Sequence, residues 1–454
     1  MAPQTPSSST TIYLHQPPSC LQFCPTSPNS LVIGTYLLSE TKGPETDTEG
    51  VEIIHQAKTG SLQLWNLHPE TDTLSQITRL EINAAVFDLQ FHPRNPKVLG
   101  IATSDASVSL FTVSETGFTH LWTRSVHEDP SIPALFLAWM PEFWLDPPQG
   151  KGGDGFAVTF SDGRTGVFGL DDSNTNTDTN DEGKGEEEKE EITELETFNA
   201  TQPIEVWFVA LATYQTLTPG QPYQNQKKTT YTYTPYLFTG TDFGALQTIR
   251  FPDHQPQPTT SPVTDNDNDN NNANDNLPPP TLSTTDKARH HTAGITSILP
   301  LPLPLHATNG APLLLTGSYD ESIRIYHATG RGGVIAEMGV GGGVWRLKVL
   351  SSTSSITDTN SGLSGDGKRE WTFLILASCM HGGVRVVRVW VSSMGDGEGE
   401  VEGGIEVLAE FKEHESMNYA SDVWKCGRKN EESELRVVSS SFYDRRVCVW
   451  RVQV

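Results

Sequence analysis

The sequence predicts an all-β fold in which seven repeats form the blades of a β-propeller. The chain has 454 residues, is rich in glycine (39) and proline (30), and has only 19% charged residues. Short runs of β-branched and aromatic residues, separated by Gly, Asp and Asn, recur along its length, and such runs are typical of short strands joined by turns. No long segment has the apolar spacing of a helix.

One pattern identifies the repeats: a turn residue, five further residues, and a residue that closes a strand and is aromatic or apolar in six of the seven copies. The copies are Thr59–Trp65, Asp105–Phe111, Asp162–Phe168, Asp242–Thr248, Asp320–Tyr326, His381–Val387 and Asp444–Trp450. Apolar strands precede most copies and a further strand follows most of them, so each repeat has the four strands of a propeller blade. The pattern resembles WD40 repeats and predicts a single domain over residues 1–454.

The two ends of the sequence predict how the ring closes. The seventh repeat ends at Val454 after its third strand, and residues 11–15 (TIYLH) precede the first repeat without belonging to a blade. Pairing between these segments would remove the exposed edges of an open sheet. We therefore expect the N-terminal strand to complete blade 7.

The net charge of −25 is concentrated in low-complexity stretches. Residues 171–196, 265–275 and 394–406 supply 19 of the 25 negative charges. Segments of like charge repel one another and favour disorder. We expect long disordered acidic insertions at about 171–190, 252–286, 351–370 and 392–404, and two further insertions at 143–155 and 212–234.

These insertions are all expected on the same face of the propeller. With the strands of a blade labelled a to d from the channel outward, all of them connect a to b or c to d and lie on one face, the bottom. The top face, formed by the b–c and d–a connections, is left nearly clear over blades 5 to 7. We expect it to be the docking face.

Composition and motifs exclude several classes of function. Phosphate binding needs a basic face, which the sequence lacks, so a nucleic-acid partner is not expected. The five cysteines form no C-x-x-C pair, and neither a signal peptide nor a membrane span is recognisable. Hydrolase, nucleotide-binding and metal-binding motifs are absent. These observations predict a monomeric cytoplasmic protein without metal or cofactor.

Most His and Asp residues have a structural explanation. In WD40 blades a His before the blade commonly bonds the Asp of the b–c turn, and buried polar groups need such partners. Three pairs have suitable spacing: His127 with Asp162, His291 with Asp320, and His414 with Asp444.

Blade 6 departs from this pattern. His381 stands where five other repeats carry Asp, and glycines 341–343 with Val344, Trp345 and Arg346 fill the place of the preceding His. A His without the blade-stabilising role is a candidate for acid–base chemistry, and an idle His on a surface turn is the alternative.

Neighbouring turns and strand starts place further polar and aromatic residues on the same face. They are Tyr319, Asp320, Trp345, Arg346, Tyr419, Asp422, Tyr443 and Asp444. Aromatic faces beside carboxylates suit a cationic ligand such as a quaternary ammonium group. Packing of these rings between blades is the alternative.

Several segments are more specific than the general WD40 pattern. They are RHHT (289–292) with GITSI (294–298), LLTGSYDESIRIY (314–326), GGGVWRLK (341–348), LASCMHGGVRVV (376–387), YASD (419–422) and SSFYDRRVCVW (440–450). The set resembles the diphthine methyl ester hydrolases, also named diphthine methyltransferases, of diphthamide biosynthesis. The resemblance is close in blades 5 to 7 and limited to the WD40 pattern in blades 1 to 4.

The resemblance implies a cytoplasmic esterase whose protein substrate is translation elongation factor 2. The substrate group would be a modified His that carries a trimethylammonium group and a carboxyl methyl ester. Ester hydrolysis needs a base, donors for the oxyanion and a substrate clamp. A non-catalytic WD40 scaffold that binds other proteins is the alternative function.

We expect the following roles for this chemistry. His381 is the base, oriented by Asp320 or Asp444, and the amides of Gly341, Gly342 and Gly343 bind the oxyanion. Tyr319, Trp345 and Tyr443 hold the trimethylammonium group, with Arg346, Tyr419 and Asp422 as further substrate-binding residues. Ser318, Cys379 and Ser441 are alternatives to water as the nucleophile.

Overall fold

The described residues form seven antiparallel β-sheets, arranged as the blades of a propeller around a central channel. The computed structural model describes residues 2–46, 52–145, 153–170, 192–218, 230–255, 277–357, 368–394, 400–425 and 434–454. The predicted seven-bladed β-propeller is confirmed.

The strands follow one another through the blades in chain order. The first, β1 (Ser8–Tyr13), precedes blade 1. Blade 1 contains β2 (Pro18–Phe23), β3 (Ser30–Thr35), β4 (Leu37–Thr46), β5 (Glu52–His68) and β6 (Thr73–Ile82). Blade 2 contains β7 (Val86–Phe91), β8 (Val98–Thr103), β9 (Ser107–Val113) and β10 (Phe118–Ser125). Blade 3 contains β11 (Ala134–Trp139), β12 (Gly155–Phe160), β13 (Arg164–Leu170) and β14 (Ile192–Asn199).

The remaining four blades follow the same order. Blade 4 contains β15 (Val206–Thr218), β16 (Thr230–Thr241), β17 (Ala245–Arg250) and β18 (Leu282–Lys287). Blade 5 contains β19 (Ile295–Pro300), β20 (Leu313–Ser318), β21 (Ser322–His327) and β22 (Gly333–Gly339). Blade 6 contains β23 (Arg346–Thr357), β24 (Lys368–Ser378), β25 (Val384–Met394) and β26 (Glu402–Phe411). Blade 7 contains β27 (Asn418–Val423), β28 (Glu434–Ser441) and β29 (Arg446–Gln453).

The N-terminal strand closes the ring, as predicted. Strand β1 pairs antiparallel with β29, with Ile12 opposite Val447, and so supplies the outer strand of blade 7. The segment before β1 also reaches blade 6, where the amide of Gln4 donates to the carbonyl of Leu408 at 2.9 Å. The N-terminal segment therefore joins two neighbouring blades.

One of the three predicted His–Asp pairs forms a direct bond. His127 Nε2 lies 3.2 Å from Asp162 Oδ2. His291 instead contacts Thr316 Oγ1 at 3.1 Å and Arg324 Nη1 at 3.0 Å, because the guanidinium of Arg324 lies between His291 and Asp320. The prediction of a direct His291–Asp320 bond was therefore wrong.

The His of blade 7 also takes a different partner from the predicted one. His414 Nε2 lies 2.8 Å from Ser439 Oγ, which accepts the Nε1–H of Trp450 at 3.0 Å. All three side chains are buried. His414 thus stabilises its blade through Ser439 rather than by a direct bond to Asp444.

Several predicted insertions are partly strand. In blades 4 and 6 the a–b ladders run on to Thr218–Thr230 and Thr357–Lys368, so parts of 212–234 and 351–370 belong to strands. The segment 252–286 includes most of β18, and 392–404 includes strand ends. The disorder predicted for 171–190 and for the central parts of the other insertions lies outside the described residues.

In blade 1 the connection between strands b and c is a long β-hairpin, in which β4 pairs with the first part of β5. In the described part of the chain, the helical structure is one four-residue 3-10 turn, Leu305–Thr308, and no helix there has the length and apolar character needed to cross a membrane.

Candidate functional site

A β-bulge at the top of strand a positions the aromatic side chains of the site. In six blades the a–b pairing skips one residue near the start of the strand. The skipped residue is Phe87 in blade 2, Trp207 in blade 4 and Tyr419 in blade 7. Trp345 lies at the matching place in blade 6, one residue before the first paired residue, Arg346. Bulges redirect side chains, and these four rings come to the channel mouth.

Four rings meet at the top of the channel over blades 4 to 7. Trp345 is central: its ring centroid lies 4.9 Å from Tyr419, 5.6 Å from Trp207 and 6.1 Å from Tyr319. Trp207 and Tyr319 are 6.2 Å apart at an interplanar angle of 89°. All four side chains are only partly buried. We call Trp207, Tyr319, Trp345 and Tyr419 the aromatic cluster.

The aromatic contacts continue around the top of the ring. Phe442 lies 5.5 Å from Tyr419 and 5.8 Å from Tyr36, and Tyr36 lies 5.4 Å from Phe87. The chain of rings therefore runs from blade 4 through blades 5, 6, 7 and 1 to blade 2. Tyr443 is 69% exposed and contacts Phe442 rather than the aromatic cluster.

Trp207 is the member of the aromatic cluster that sequence reasoning missed. Its indole Nε1 donates to Asp242 Oδ1 at 2.7 Å, which anchors the ring to the b–c turn of its own blade. The signal was present in the sequence, because Trp207 occupies the same position in strand a of blade 4 as Tyr419 does in blade 7. An alignment of the inner strands, rather than of the turn pattern alone, would have found it.

The two tyrosines of the aromatic cluster stay protonated at neutral pH. Burial raises the pKa of Tyr319, and the nearby Tyr419 adds to the shift. Burial likewise raises the pKa of Tyr419 to about 12. The aromatic cluster therefore offers neutral rings, and its negative charge comes from carboxylates such as that of Asp242.

His381 is exposed on the top face and pairs with a residue that the sequence analysis did not consider. Its Nε2 lies 3.3 Å from Glu321 Oε1, with the two side chains 55% and 48% exposed. Glu321 follows Tyr319 by two residues in the b–c turn of blade 5. Glu321 is thus the carboxylate in contact with His381.

Neither predicted orienting carboxylate contacts His381. Asp320 accepts hydrogen bonds from Arg324 Nη1 (2.9 Å) and from the Thr292 amide (3.0 Å). Burial opposes ionisation of Asp320, but the hydrogen bonds from Arg324 and the Thr292 amide, together with the charge of Arg324, outweigh it and lower the pKa of this carboxyl. Asp444 accepts bonds from the hydroxyls of Ser441 and Ser416. Both aspartates stabilise their own turns, so the predicted orienting role was wrong.

The glycines of blade 6 allow two loops to approach closely. A Cβ on Gly342 would lie 2.2 Å from the carbonyl oxygen of Cys379, and one on Gly343 would lie 2.9 Å from the sulfur of Met380. Gly341 has a φ of +73°, which disfavours other residues. Among the described residues, the amides of Gly341, Gly342 and Gly343 donate to no acceptor. The segment therefore lies beside His381 with its amides unused.

The three side chains considered as alternative nucleophiles are all fully buried. Ser318 is fully buried and donates to the carbonyl of Ala293 at 3.0 Å. Cys379 is fully buried, and burial raises the pKa of its thiol to about 12. Ser441 is fully buried and bonded to Asp444. This geometry favours water as the nucleophile.

A charged pair crosses the channel beneath the aromatic cluster. Arg346 of blade 6 places Nη2 3.7 Å from Oδ1 of Asp88, which belongs to blade 2. Burial raises the pKa of Asp88 to about 6, against the opposing effect of Arg346. Sequence reasoning missed Asp88, since nothing in strand β7 signals that it faces a cation from another blade.

Asp422 lies deeper in the channel than predicted for a substrate-binding residue. It is 2% exposed, accepts from Lys348 Nζ at 2.6 Å and from the Phe23 amide at 2.9 Å. Its contacts join blades 6, 7 and 1. Among the described residues, no group of three His, Cys, Asp or Glu side chains is placed to hold a metal ion.

Known proteins of similar fold differ widely from this chain in sequence. Sqt1 of Saccharomyces cerevisiae is 11% identical, with 99% of this chain and 100% of that chain covered and a TM-score of 0.49. Sqt1 of Chaetomium thermophilum, solved bound to the N-terminus of the ribosomal protein L10, is 13% identical, with 98% and 99% covered and the same TM-score.

Similarity in sequence is found with one named enzyme. No protein-family model matches the chain. The diphthine methyltransferase of Schizosaccharomyces pombe is 28% identical over 160 residues. That segment covers 35% of this chain and 38% of the yeast protein's length. The resemblance predicted from the sequence is thereby confirmed: over about a third of its length, this WD40-type propeller is similar to a diphthine methyltransferase.

Proposed function

We propose that this protein hydrolyses the methyl ester of diphthine methyl ester on the modified His of translation elongation factor 2, giving diphthine in diphthamide biosynthesis. The observation that carries the proposal is the half-buried aromatic cluster at the channel mouth, beside the His381–Glu321 pair. The similarity to a diphthine methyltransferase supports the same pathway. We further propose that the protein acts as a cytoplasmic monomer without a cofactor.

The aromatic cluster suits a trimethylammonium group. Such a cation has no N–H donor, so hydrogen bonds cannot recognise it, whereas the faces of aromatic rings attract it. Trp207, Trp345 and Tyr419 present such faces on three blades, with centroid separations of 4.9 and 5.6 Å from the central Trp345. Each ring at a partly exposed site contributes about 0.5–1 kcal/mol to binding.

The His381–Glu321 pair supplies the base. Oε1 of Glu321 lies 3.3 Å from Nε2 of His381 and favours a proton on that nitrogen, which leaves Nδ1 to take a proton from water. The oxygen of that water forms a bond to the ester carbonyl carbon. The bond from this carbon to the methoxy oxygen then breaks, and His381 returns the proton to the leaving methoxide to give methanol. The unused amides of Gly342, which packs against Cys379 and Gly382, and of Gly343, which packs against Met380, stabilise the oxyanion.

The alternative function, a non-catalytic scaffold, is favoured by one observation. Asp320 and Asp444 are fully engaged in their own turns, as in a blade that has no chemical role. Under this alternative the top face binds a protein, and His381 is an exposed turn residue without further function.

A methanol-release assay separates the two functions. The purified protein is incubated with elongation factor 2 that carries diphthine methyl ester, and methanol and the mass of the modified factor are measured. We expect methanol release and a loss of one methylene unit in mass. Binding of the modified factor without any loss of mass would establish the scaffold instead.

Variants in the aromatic cluster test the binding mode. Trp207→Leu removes one ring from the aromatic cluster and is expected to raise KM about two- to fivefold, in line with the loss of ~0.5–1 kcal/mol of cation–π attraction, with little change in kcat. Tyr13→Leu is the matched control, since Tyr13 is 62% exposed and lies on the outer strand of blade 7, outside the aromatic cluster. Equal KM values for the two variants would contradict this binding mode.

A further inference from the structure

The Arg346–Asp88 pair occupies positions where the fold itself needs no charge. Both residues come directly after the bulge position of strand a. The matching positions in the other blades carry uncharged or apolar residues: Cys20, Phe136, Phe208, Ser297 and Ala420. Two charges placed across the channel are therefore not a requirement of blade packing. Buried charges are costly and concentrate at functional sites.

Arg346 is held by aromatic faces and still reaches the channel. Its guanidinium carbon lies 4.7 Å from the Phe136 centroid, 4.9 Å from that of Trp345 and 5.5 Å from that of Phe208. Its side chain is 20% exposed. The rings fix the plane of the guanidinium, and Trp345 is shared with the aromatic cluster above. The guanidinium of Arg346 thus lies beneath the ring of Trp345, and the proposed ammonium site lies above it.

The guanidinium has donors to spare. Among the described residues, its two hydrogen bonds are both made by Nη1, to the carbonyl oxygens of Trp345 (3.0 Å) and Thr296 (3.3 Å). The 3.7 Å from Nη2 to Asp88 exceeds hydrogen-bond length, so this carboxylate attracts Arg346 without saturating it. A planar acceptor with two oxygens matches the fork of donors that remains.

Asp88 is held in place by hydrogen bonds from its own blade and from blade 3. It is 2% exposed and accepts from Gln90 Nε2 at 3.1 Å and from the Leu137 amide at 3.4 Å. The other titratable groups that face the pair are Cys20 and Tyr319, and burial raises the pKa of both, so they stay neutral. Arg346 is therefore the cation available to an acceptor that enters from the top.

We propose that Arg346, held in place by Asp88, is a carboxyl-recognition residue, so that the channel mouth binds ligands with a quaternary ammonium group at one end and a carboxylate or ester carbonyl at the other. The ammonium group lies against the aromatic cluster and the carboxyl oxygens accept from Arg346. This inference rests on the proposed function for the identity of the natural ligand, but its chemistry is independent of hydrolysis.

Small probes test the inference without the protein substrate. Binding of γ-butyrobetaine, which carries both groups, is compared with that of choline, which has no carboxylate, and of butyrate, which has no ammonium group, by ligand-observed NMR titration. We expect γ-butyrobetaine to bind at least tenfold more tightly than either. Equal binding of γ-butyrobetaine and choline, or no binding of γ-butyrobetaine, would overturn the inference.

Substitutions assign the preference to Arg346. Arg346→Met keeps the length of the side chain and removes its charge, and should abolish the preference for γ-butyrobetaine over choline. Arg346→Lys keeps the positive charge but lacks the paired N–H donors of the guanidinium, and it should retain part of the preference for γ-butyrobetaine. Arg388→Met is the control, because Arg388 is an exposed residue of blade 6 paired with Glu406. Thermal unfolding confirms that each variant is folded.

The outcome is separable from that of the proposed function. A tenfold preference together with no methanol release would leave the carboxyl site standing and refute the esterase. Methanol release by a protein that binds γ-butyrobetaine and choline equally would support the esterase and refute the carboxyl site. Loss of the preference in Arg388→Met as well would refute the assignment to Arg346.

Discussion

Replacing His381 is the most direct test of whether this residue is catalytic or only part of an exposed turn. The imidazole is 55% exposed, and its ion-pair partner Glu321 is 48% exposed, with Oε1 lying 3.3 Å from Nε2 of His381. Exposed pairs of this kind contribute at most ~1 kcal/mol to stability. His381→Ala should therefore leave the free energy of unfolding nearly unchanged, within about 1 kcal/mol. A positioned general base contributes ~10²–10⁴-fold to the rate, and we expect that loss in kcat/KM for ester hydrolysis.

The aspartate variant is more informative than the alanine variant. His381→Asp restores the residue that five other repeats carry at this turn position, but it also places a second carboxylate beside Glu321. We expect activity to fall as in His381→Ala. Stability should fall slightly rather than rise, by less than about 1 kcal/mol, because exposed like charges repel weakly.

Two assays are needed, methanol release from the modified factor and chemical unfolding, both on the same preparations. His306→Ala is the control, since His306 is an exposed His on the short 3-10 turn in the a–b connection of blade 5, on the face opposite the top-face turns. Hydrolysis within a few-fold of wild type in both His381 variants would refute the role of His381 and favour the scaffold function.

Three further predictions concern the fold. Deleting residues 1–16 removes the strand that pairs with β29, and we expect aggregation or a large drop in Tm; a truncated protein that melts like the parent would contradict ring closure. Ser439→Ala leaves Trp450 Nε1–H and His414 Nε2 buried without their shared partner, and should destabilise the protein by roughly 2–4 kcal/mol in urea unfolding. Burial lowers the pKa of His291 and of His414 from 6.5 to about 4. The unfolded chain therefore binds more protons between these pH values, so stability should decrease by up to ~3 kcal/mol per His as pH falls from 6.5 to 4. Unfolding free energies measured at pH 7 and 5 that are equal would show that these His residues are not buried in the neutral form.

The sequence alone determined the number of blades and the closure of the ring, and it predicted the face that carries the candidate site. These follow from local features: a turn residue and a strand-closing residue recur at a fixed interval, and strand alternation then sets which loops share a face. The same logic identified Tyr319, Trp345 and Tyr419, because residues at equivalent repeat positions come to equivalent places in the ring.

The tertiary structure alone decided which side chains meet. Asp320 and Asp444 occupy the same turn position in blades 5 and 7 as His381 does in blade 6, which lies between them. Each aspartate nevertheless bonds within its own turn, and Glu321 is the carboxylate that contacts His381. Asp88 and Arg346 are far apart in sequence and belong to blades three steps apart, and only closure of the ring brings their charges to 3.7 Å. Repeat spacing describes one blade at a time. Contacts across the channel depend on how seven blades close together, which no local pattern contains.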